Sequence, residues 1–310
     1  MKVALCFLIS YHHVVHKEAI WKKWIEPNKD IVQVYFHYTD KKKIKSEWIL
    51  RHCIPQEKIA KTSYYHVVDA YLAVSSYAYH HDKDNTWFCF LTESCVPLVS
   101  PEVFRMRFFQ QHSRTLLSWT KAWWSPQIQT RANLKHLPYK YHLANAPWFV
   151  MTRNHVELFV LFSKTQYNLY SLVCQGGVAN ESVFAILFAF YNRLDPANAD
   201  SVVNAETTLA NWENMSSPTS PYVFEKGDAY ETRFIEDRRN KHPHLLFLRK
   251  IDPAFPDALL QSWYRTELTW RERVRLWMSE WYYQHKMEKR WILFFLWVCG
   301  FGWFYTTRYA

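Results

Sequence analysis

Short apolar runs alternate with stretches of helical spacing through the first 250 residues, and that alternation leaves few architectures open. Residues 3–9 (Val-Ala-Leu-Cys-Phe-Leu-Ile), 31–37 (Ile-Val-Gln-Val-Tyr-Phe-His), 87–91, 148–151 and 245–248 read as strands. Residues 16–24, 65–79, 154–162 and 182–190 read as helices. Strands that take turns with helices favour crossover connections and a mostly parallel sheet covered by helices. The expected class is therefore α/β. Residues 200–220, rich in Asn, Ser and Thr, read as a long loop over one edge of the sheet. From Asp257 the chain is expected to be helical, with Trp263, Trp270, Val274, Trp277 and Trp281 on one stripe.

Glycine narrows the function. The five glycines, at 176, 177, 227, 300 and 302, cannot spell G-x-G-x-x-G or G-x-x-x-x-G-K. The commonest dinucleotide and ATP cradles are therefore excluded. The net charge of +10 favours an anionic partner. The basic residues are scattered and form no recognisable reading module, so nucleic acid is not expected. None of the six cysteines forms a C-x-x-C, and most sit in apolar strand-like runs. They read as reduced core residues in a reducing compartment.

Two segments bear on location. Residues 3–9 could pass for the apolar part of a signal peptide, but no small-residue cleavage site follows, so a buried strand is expected. Asn180-Glu181-Ser182 and Asn214-Met215-Ser216 are glycan-acceptor sequons. A glycan on the first would cover a candidate catalytic residue, so a cytoplasmic body is expected. Residues 291–305 are uncharged and follow Lys286, Lys289 and Arg290. That run is short of the ~20 residues that span a bilayer. A short tail anchor, an interfacial segment and a docked helix all fit it, and membrane association through this tail is expected.

Several constellations could carry chemistry. At Phe90-Leu91-Thr92-Glu93-Ser94-Cys95-Val96-Pro97-Leu98 an apolar strand runs into a polar, acidic turn. Ligands sit at the carboxyl ends of strands in open α/β sheets, so Glu93 and Ser94 mark a candidate site edge. Asp82-Lys83-Asp84 precedes its strand and reads as a solvated loop. His12, His13 and His16 have metal-compatible spacing but no acidic or Cys partner at a diagnostic distance, so no metal is expected. At residues 175–184 two glycines allow a sharp turn, Asn180 can cap a helix and Glu181 follows at its start. A helix dipole would keep that carboxylate ionised, as a general base requires. A capped helix with no chemistry fits the same residues. Arg249-Lys250 puts two cations at a strand end, where they would either neutralise a diphosphate or remain solvated.

In order, these pieces resemble the core-2/I-branching β-1,6-N-acetylglucosaminyltransferase family. Val34-Tyr35-Phe36-His37 resembles its "vyvHvD" strand, and Val67-Val68-Asp69-Ala70 its "vvdAe" helix. Residues 92–98 resemble "SESCxPL", residues 146–153 "GSxWFVxTR", residues 180–184 "DEhxf" and residues 246–250 "LFARK". The likeness covers about residues 1–265. It implies a GT-A-like domain over residues 1–255; the residue pattern places amphipathic helices at 256–290 and the apolar tail at 291–310 after it. The likeness implies inverting, metal-independent transfer of a sugar, GlcNAc first among them, from a UDP-sugar to a hydroxyl of a glycan or glycoprotein. No cofactor is expected. Glu181 is placed as the base. Lys250, Arg249, His37 and Asp40 fall on the donor side. Glu93, Ser94, Trp148 and Arg153 fall on the sugar or acceptor side, where Trp148, with Trp123-Trp124, could stack on sugar faces. Asn180 stands where the family has Asp, Pro147 where it has a small or polar residue, and Thr219 near a second diphosphate-binding Arg. Asn180 and the missing upstream Arg favour the other reading, a non-catalytic carbohydrate-binding or scaffold protein on a degenerate transferase fold.

Overall fold

The structure, a computed structural model, describes residues 1–9, 12–198, 200–217, 219–264 and 268–285. The chain divides into two units, Met1–Glu267 and Leu268–Ala310.

The first unit opens with β1 (Lys2–Leu8), α1 (Glu18–Ile25), β2 (Val32–His37), α2 (Glu47–His52), α3 (Val68–His81) and β3 (Asn85–Thr92). It continues with β4 (Val96–Pro97), α4 (Pro101–Gln111), β5 (Trp119–Lys121), β6 (Leu143–Asn145), β7 (Val150–Thr152), α5 (Arg153–Thr165) and α6 (Tyr167–Gln175). It ends with α7 (Val183–Phe190), β8 (Thr208–Ala210), α8 (Ala229–Lys241), β9 (Phe247–Arg249) and α9 (Asp257–Trp263).

The central sheet has the order β2-β1-β3-β7. β1 runs parallel to β2 and β3, and β7 is antiparallel to β3. β1 lies between two neighbours and is apolar at nearly every position, because both of its faces are covered. Ala4, Cys6 and Leu8 point into one core with Tyr71 and Val74 of α3 and Phe184 of α7. The alternate residue Phe7 meets Trp21 of α1 edge-on at 5.0 Å and stacks on Phe36 at 5.0 Å. A second sheet, β4-β9-β8, sits over its own core of Val96, Leu98, Leu209, Leu245 and Leu248. β5 and β6 form a separate antiparallel pair.

The expected α/β class with helices around a mostly parallel sheet is what folds, with several corrections. The strand expected at 245–248 is shifted to β9. The loop expected at 200–220 contains β8, whose residues 208 and 209 are buried. Helices α2, α4, α6 and α8 went unforeseen. Ser46, Ser100 and Asp228 cap α2, α4 and α8 by accepting backbone N–H groups, a signal carried by a single side chain each. Trp263 does not share a stripe with Trp270: it ends α9, buried near Phe255 in the first unit.

The second unit's described helix, α10 (Trp270–His285), starts with a capping box. Glu272 N–H donates to Thr269 Oγ1, and Thr269 N–H donates back to the Glu272 carboxylate. Trp270 and Trp277 are exposed. No described helix is long and apolar enough to cross a membrane. The run 291–305 lies outside the described residues. The five described cysteines are free, and three are fully buried.

Candidate active site

The parallel register brings the carboxyl ends of the first three strands together, with Leu8 opposite both His37 and Thr92. Three chain segments meet there. The Glu93-Ser94 turn is held on one side by His16, whose N–H donates to Glu93 O at 2.9 Å. On the other side Ile251 N–H donates to Ser94 O at 2.9 Å. His16 Nδ1 lies 2.7 Å from Ile251 O and closes the triangle. β9, paired to β4 through Val96 and Leu248, thus delivers Arg249 and Lys250 beside Glu93 and Ser94.

Lys250 Nζ donates to Ser220 Oγ at 2.6 Å. Burial, then the neighbouring Arg249 charge, pull its pKa down, and Glu93 pulls it up. Arg249 lies over the Trp148 ring, 4.7 Å from Cζ to centroid. Trp148 also stacks near Tyr71 at 5.8 Å. The Arg249 Nε and Trp148 Nε1 donors are buried with no hydrogen-bond partner among the described residues. An unpaired buried donor costs ~1–3 kcal/mol, so these groups are available to an acceptor atom.

Glu181 lies within reach of the Arg249 charge. Burial raises its pKa, while the charges of Arg131 and Arg249 oppose the rise. The expected helix start is corrected here. Residues Ala179–Glu181 form a 3₁₀ turn, and α7 begins only at Val183. The N–H of Ala185 in that helix is taken by Asn145 Oδ1 from β6, not by Asn180. Burial and two guanidinium charges act on the carboxylate, with burial the larger effect. The turn is entered through Val178 at φ 57°, a left-handed conformation that a β-branched residue rarely adopts. Asn180 is buried, and its backbone carbonyl accepts from Asn145 Nδ2 at 2.9 Å.

Arg131 is the site residue the sequence did not reveal. Its Nη1 lies 3.1 Å from Glu181 Oε2. It reaches that point because the chain at 131–133 passes directly against Gly176: a Cβ there would come within 2.3 Å of Asn133 N and 2.6 Å of Ala132 Cα. Ala132 N–H donates to Gly177 O at 3.0 Å. The two glycines were a visible signal of a close approach, but not of the segment that approaches.

The other expected residues divide between two ends of the sheet. His37 lies at the carboxyl end of β2, and its Nε2 accepts from Ala60 N–H at 3.1 Å. Burial pushes its pKa down to about 4, so the ring is neutral. Asp40 follows in the next loop, where its carboxylate accepts from Lys42 N–H and its own N–H donates to His13 Nε2 at 3.0 Å. Arg153 lies at the opposite end. Thr152 pairs with Trp87 near the start of β3, and Arg153 donates to the carbonyls of Tyr79, Asp82 and Asn85. β3 separates it from Glu93 by about 20 Å at ~3.3 Å per residue. Asp82 sits at that same end, ion-paired to Lys2 at 2.8 Å. His13 and His16 turn to different partners. Among the described residues no three His, Cys, Asp or Glu side chains are placed to hold a metal ion.

The comparisons bear on what this arrangement does. No curated protein matches the chain. The model of a family described as Core-2/I-Branching enzyme matches residues 5–237, three quarters of the 310 residues. The match takes in Glu93, Arg131, Trp148 and Glu181 and stops before Arg249 and Lys250. A carboxylate, a cationic strand end and an aromatic ring at the carboxyl edge of a mostly parallel sheet thus fall within or beside a match of this length, and the chain belongs to the core-2/I-branching enzymes, a family of glycosyltransferases.

Proposed function

We propose that the protein transfers a sugar, GlcNAc in the first instance, from a UDP-sugar to a hydroxyl of a glycan or glycoprotein, with inversion and without a metal. Glu181 accepts the proton of the acceptor hydroxyl as its oxygen attacks the anomeric carbon. The bond to the diphosphate breaks, and the negative charge that develops on departing UDP is met by Lys250 and Arg249. Glu93 and Ser94 line the sugar, and His37 and Asp40 lie toward the nucleotide in this GT-A-like arrangement. Trp148 is engaged by Arg249 and holds that guanidinium in place. The single observation that supports the reading is the pairing of β9 with β4, which sets Arg249 and Lys250 beside the Glu93-Ser94 turn with Arg249 over the Trp148 ring. In this reading the Glu181 base faces those cations across the bound sugar nucleotide.

Glu181→Gln in the purified full-length protein tests it. Loss of a general base is expected to lower kcat by ~10²–10⁴-fold while UDP-sugar binding persists. A rate within a few-fold of wild type rejects Glu181 as the base. Loss of transfer in EDTA, restored by a divalent ion, rejects the metal-free form of the proposal. A tail that inserts at a membrane surface is part of the same reading, checked by vesicle flotation of the full chain against one ending at residue 285.

A further inference from the structure

Between Glu102 and Glu157 the chain contains no carboxylate side chain. Within that span β5 and the segment that follows it to β6 carry Lys121, Arg131, Lys135 and Lys140. Two large rings of the same segment are left in solvent, Trp123 at 71% exposure and Tyr139 at 74%. Cations lie over them. Lys121 Nζ is 4.9 Å from the Tyr139 centroid, and Arg131 Cζ is 5.1 Å from that of Trp123. The three lysines are exposed, and among the described residues none of them pairs with a carboxylate.

Exposed rings offer faces to the C–H surface of a sugar, and ammonium groups beside them offer counter-charge to an anionic substituent. Arg131 joins this face to the candidate base, since the same guanidinium contacts Trp123 and Glu181. We propose that the face formed by residues 119–142 docks the acceptor, and that the acceptor is an acidic glycan whose sugars carry carboxylates. The role as acceptor rests on the transferase reading above; the preference for an acidic glycan rests on the surface itself. A few cations spread among exposed rings match about one negative charge per sugar, as in a polyuronate, rather than the denser charge of a sulfated chain. Single-stranded nucleic acid also stacks on aromatic rings beside cations. Membership in a glycosyltransferase family decides for the glycan.

Calorimetry on the full-length protein tests this with an oligogalacturonide, a neutral malto-oligosaccharide of equal length, a heparin oligosaccharide and a single-stranded oligonucleotide. The oligogalacturonide is expected to bind at least about tenfold tighter than the neutral chain, and more weakly as salt is raised. Trp123→Ala combined with Lys140→Gln is expected to weaken that binding about tenfold or more and to leave the thermal shift given by UDP unchanged. Lys121→Gln with Lys140→Gln, which keeps both rings, should reduce the salt dependence. Equal binding of the neutral chain, unchanged affinity in the variants, or tighter binding of the heparin or the oligonucleotide overturns the inference. A UDP shift without uronate selectivity removes this inference alone. Uronate selectivity without any UDP shift removes the transferase reading and leaves the surface assignment standing.

Discussion

The Arg131 guanidinium lies 3.1 Å from the Glu181 carboxylate, across 50 residues of sequence. Both side chains are about three-quarters buried, so the pair is screened less than a surface ion pair. It works against the burial that raises the Glu181 pKa, and Arg249 works in the same sense. In the proposed transfer the base needs its proton acceptor free, so these cations would set the lowest pH at which Glu181 serves.

Removing that contact should shift the pH profile. Arg131→Gln is expected to raise the Glu181 pKa further and move the acid limb of kcat/KM against pH toward higher pH. Arg131→Lys, which keeps the charge, should restore part of the shift. A profile that falls uniformly with no displacement of the limb would make Arg131 a packing residue only.

Gly176→Ala should damage activity more than folding. The new methyl would meet the backbone of Ala132 and Asn133 well inside contact distance, and backbone cannot swing away as a side chain can. Such overpacking costs ~1–3 kcal/mol, read from the urea midpoint. Because 131–133 must retreat, Arg131 retreats with it, and kcat should fall by about tenfold or more beyond what partial unfolding explains.

Glu231 is a structural carboxylate. It is fully buried and accepts from Tyr222 Oη, Glu225 N, Lys226 N and Gly227 N. Glu231→Ala strands those donors and should cost ~3 kcal/mol or more, whereas Glu231→Gln, which keeps one acceptor oxygen, should cost less. Equal urea midpoints for the two variants would show that the carboxylate does not anchor this turn.

Acid should destabilise the protein in a defined window. Burial holds both His37 and His155 near a pKa of about 4, below the ordinary 6.5. The unfolded chain then binds protons that the folded one refuses, so stability is present above pH 6.5 and is lost as pH falls toward about 4. Each histidine contributes up to about 3 kcal/mol to that loss. Melting temperatures across this range should fall steeply in wild type and less steeply in His37→Gln and His155→Gln.

The strands of the central sheet were legible because a buried parallel strand must be apolar along its whole length, as 3–9 and 87–91 are. The helices α2, α4 and α8 were harder, since each buries only part of its surface and announces itself by one capping side chain. Glu181, Lys250, Arg249, Glu93 and Ser94 could be named as candidates from local strings; the structure sets Arg249 and Lys250 beside Glu93 and Ser94 at one sheet edge and pairs Glu181 with Arg131. Arg153 belonged to an equally good string, yet its place at the far end of β3 depends on β7 running antiparallel, which no local pattern states.

Local chemistry alone determined the α/β class and the absence of a glycine-rich phosphate cradle, and it marked the carboxylate and the strand-end cations as candidates. Tertiary structure decided the rest: that Arg131 reaches Glu181, that this carboxylate is buried in a 3₁₀ turn before α7, and that Trp148 carries Arg249. The reason is physical. Apolar periodicity and turn residues act between near neighbours in sequence, whereas a guanidinium beside a buried carboxylate is fixed by which distant backbones can touch, here through the missing side chain of Gly176.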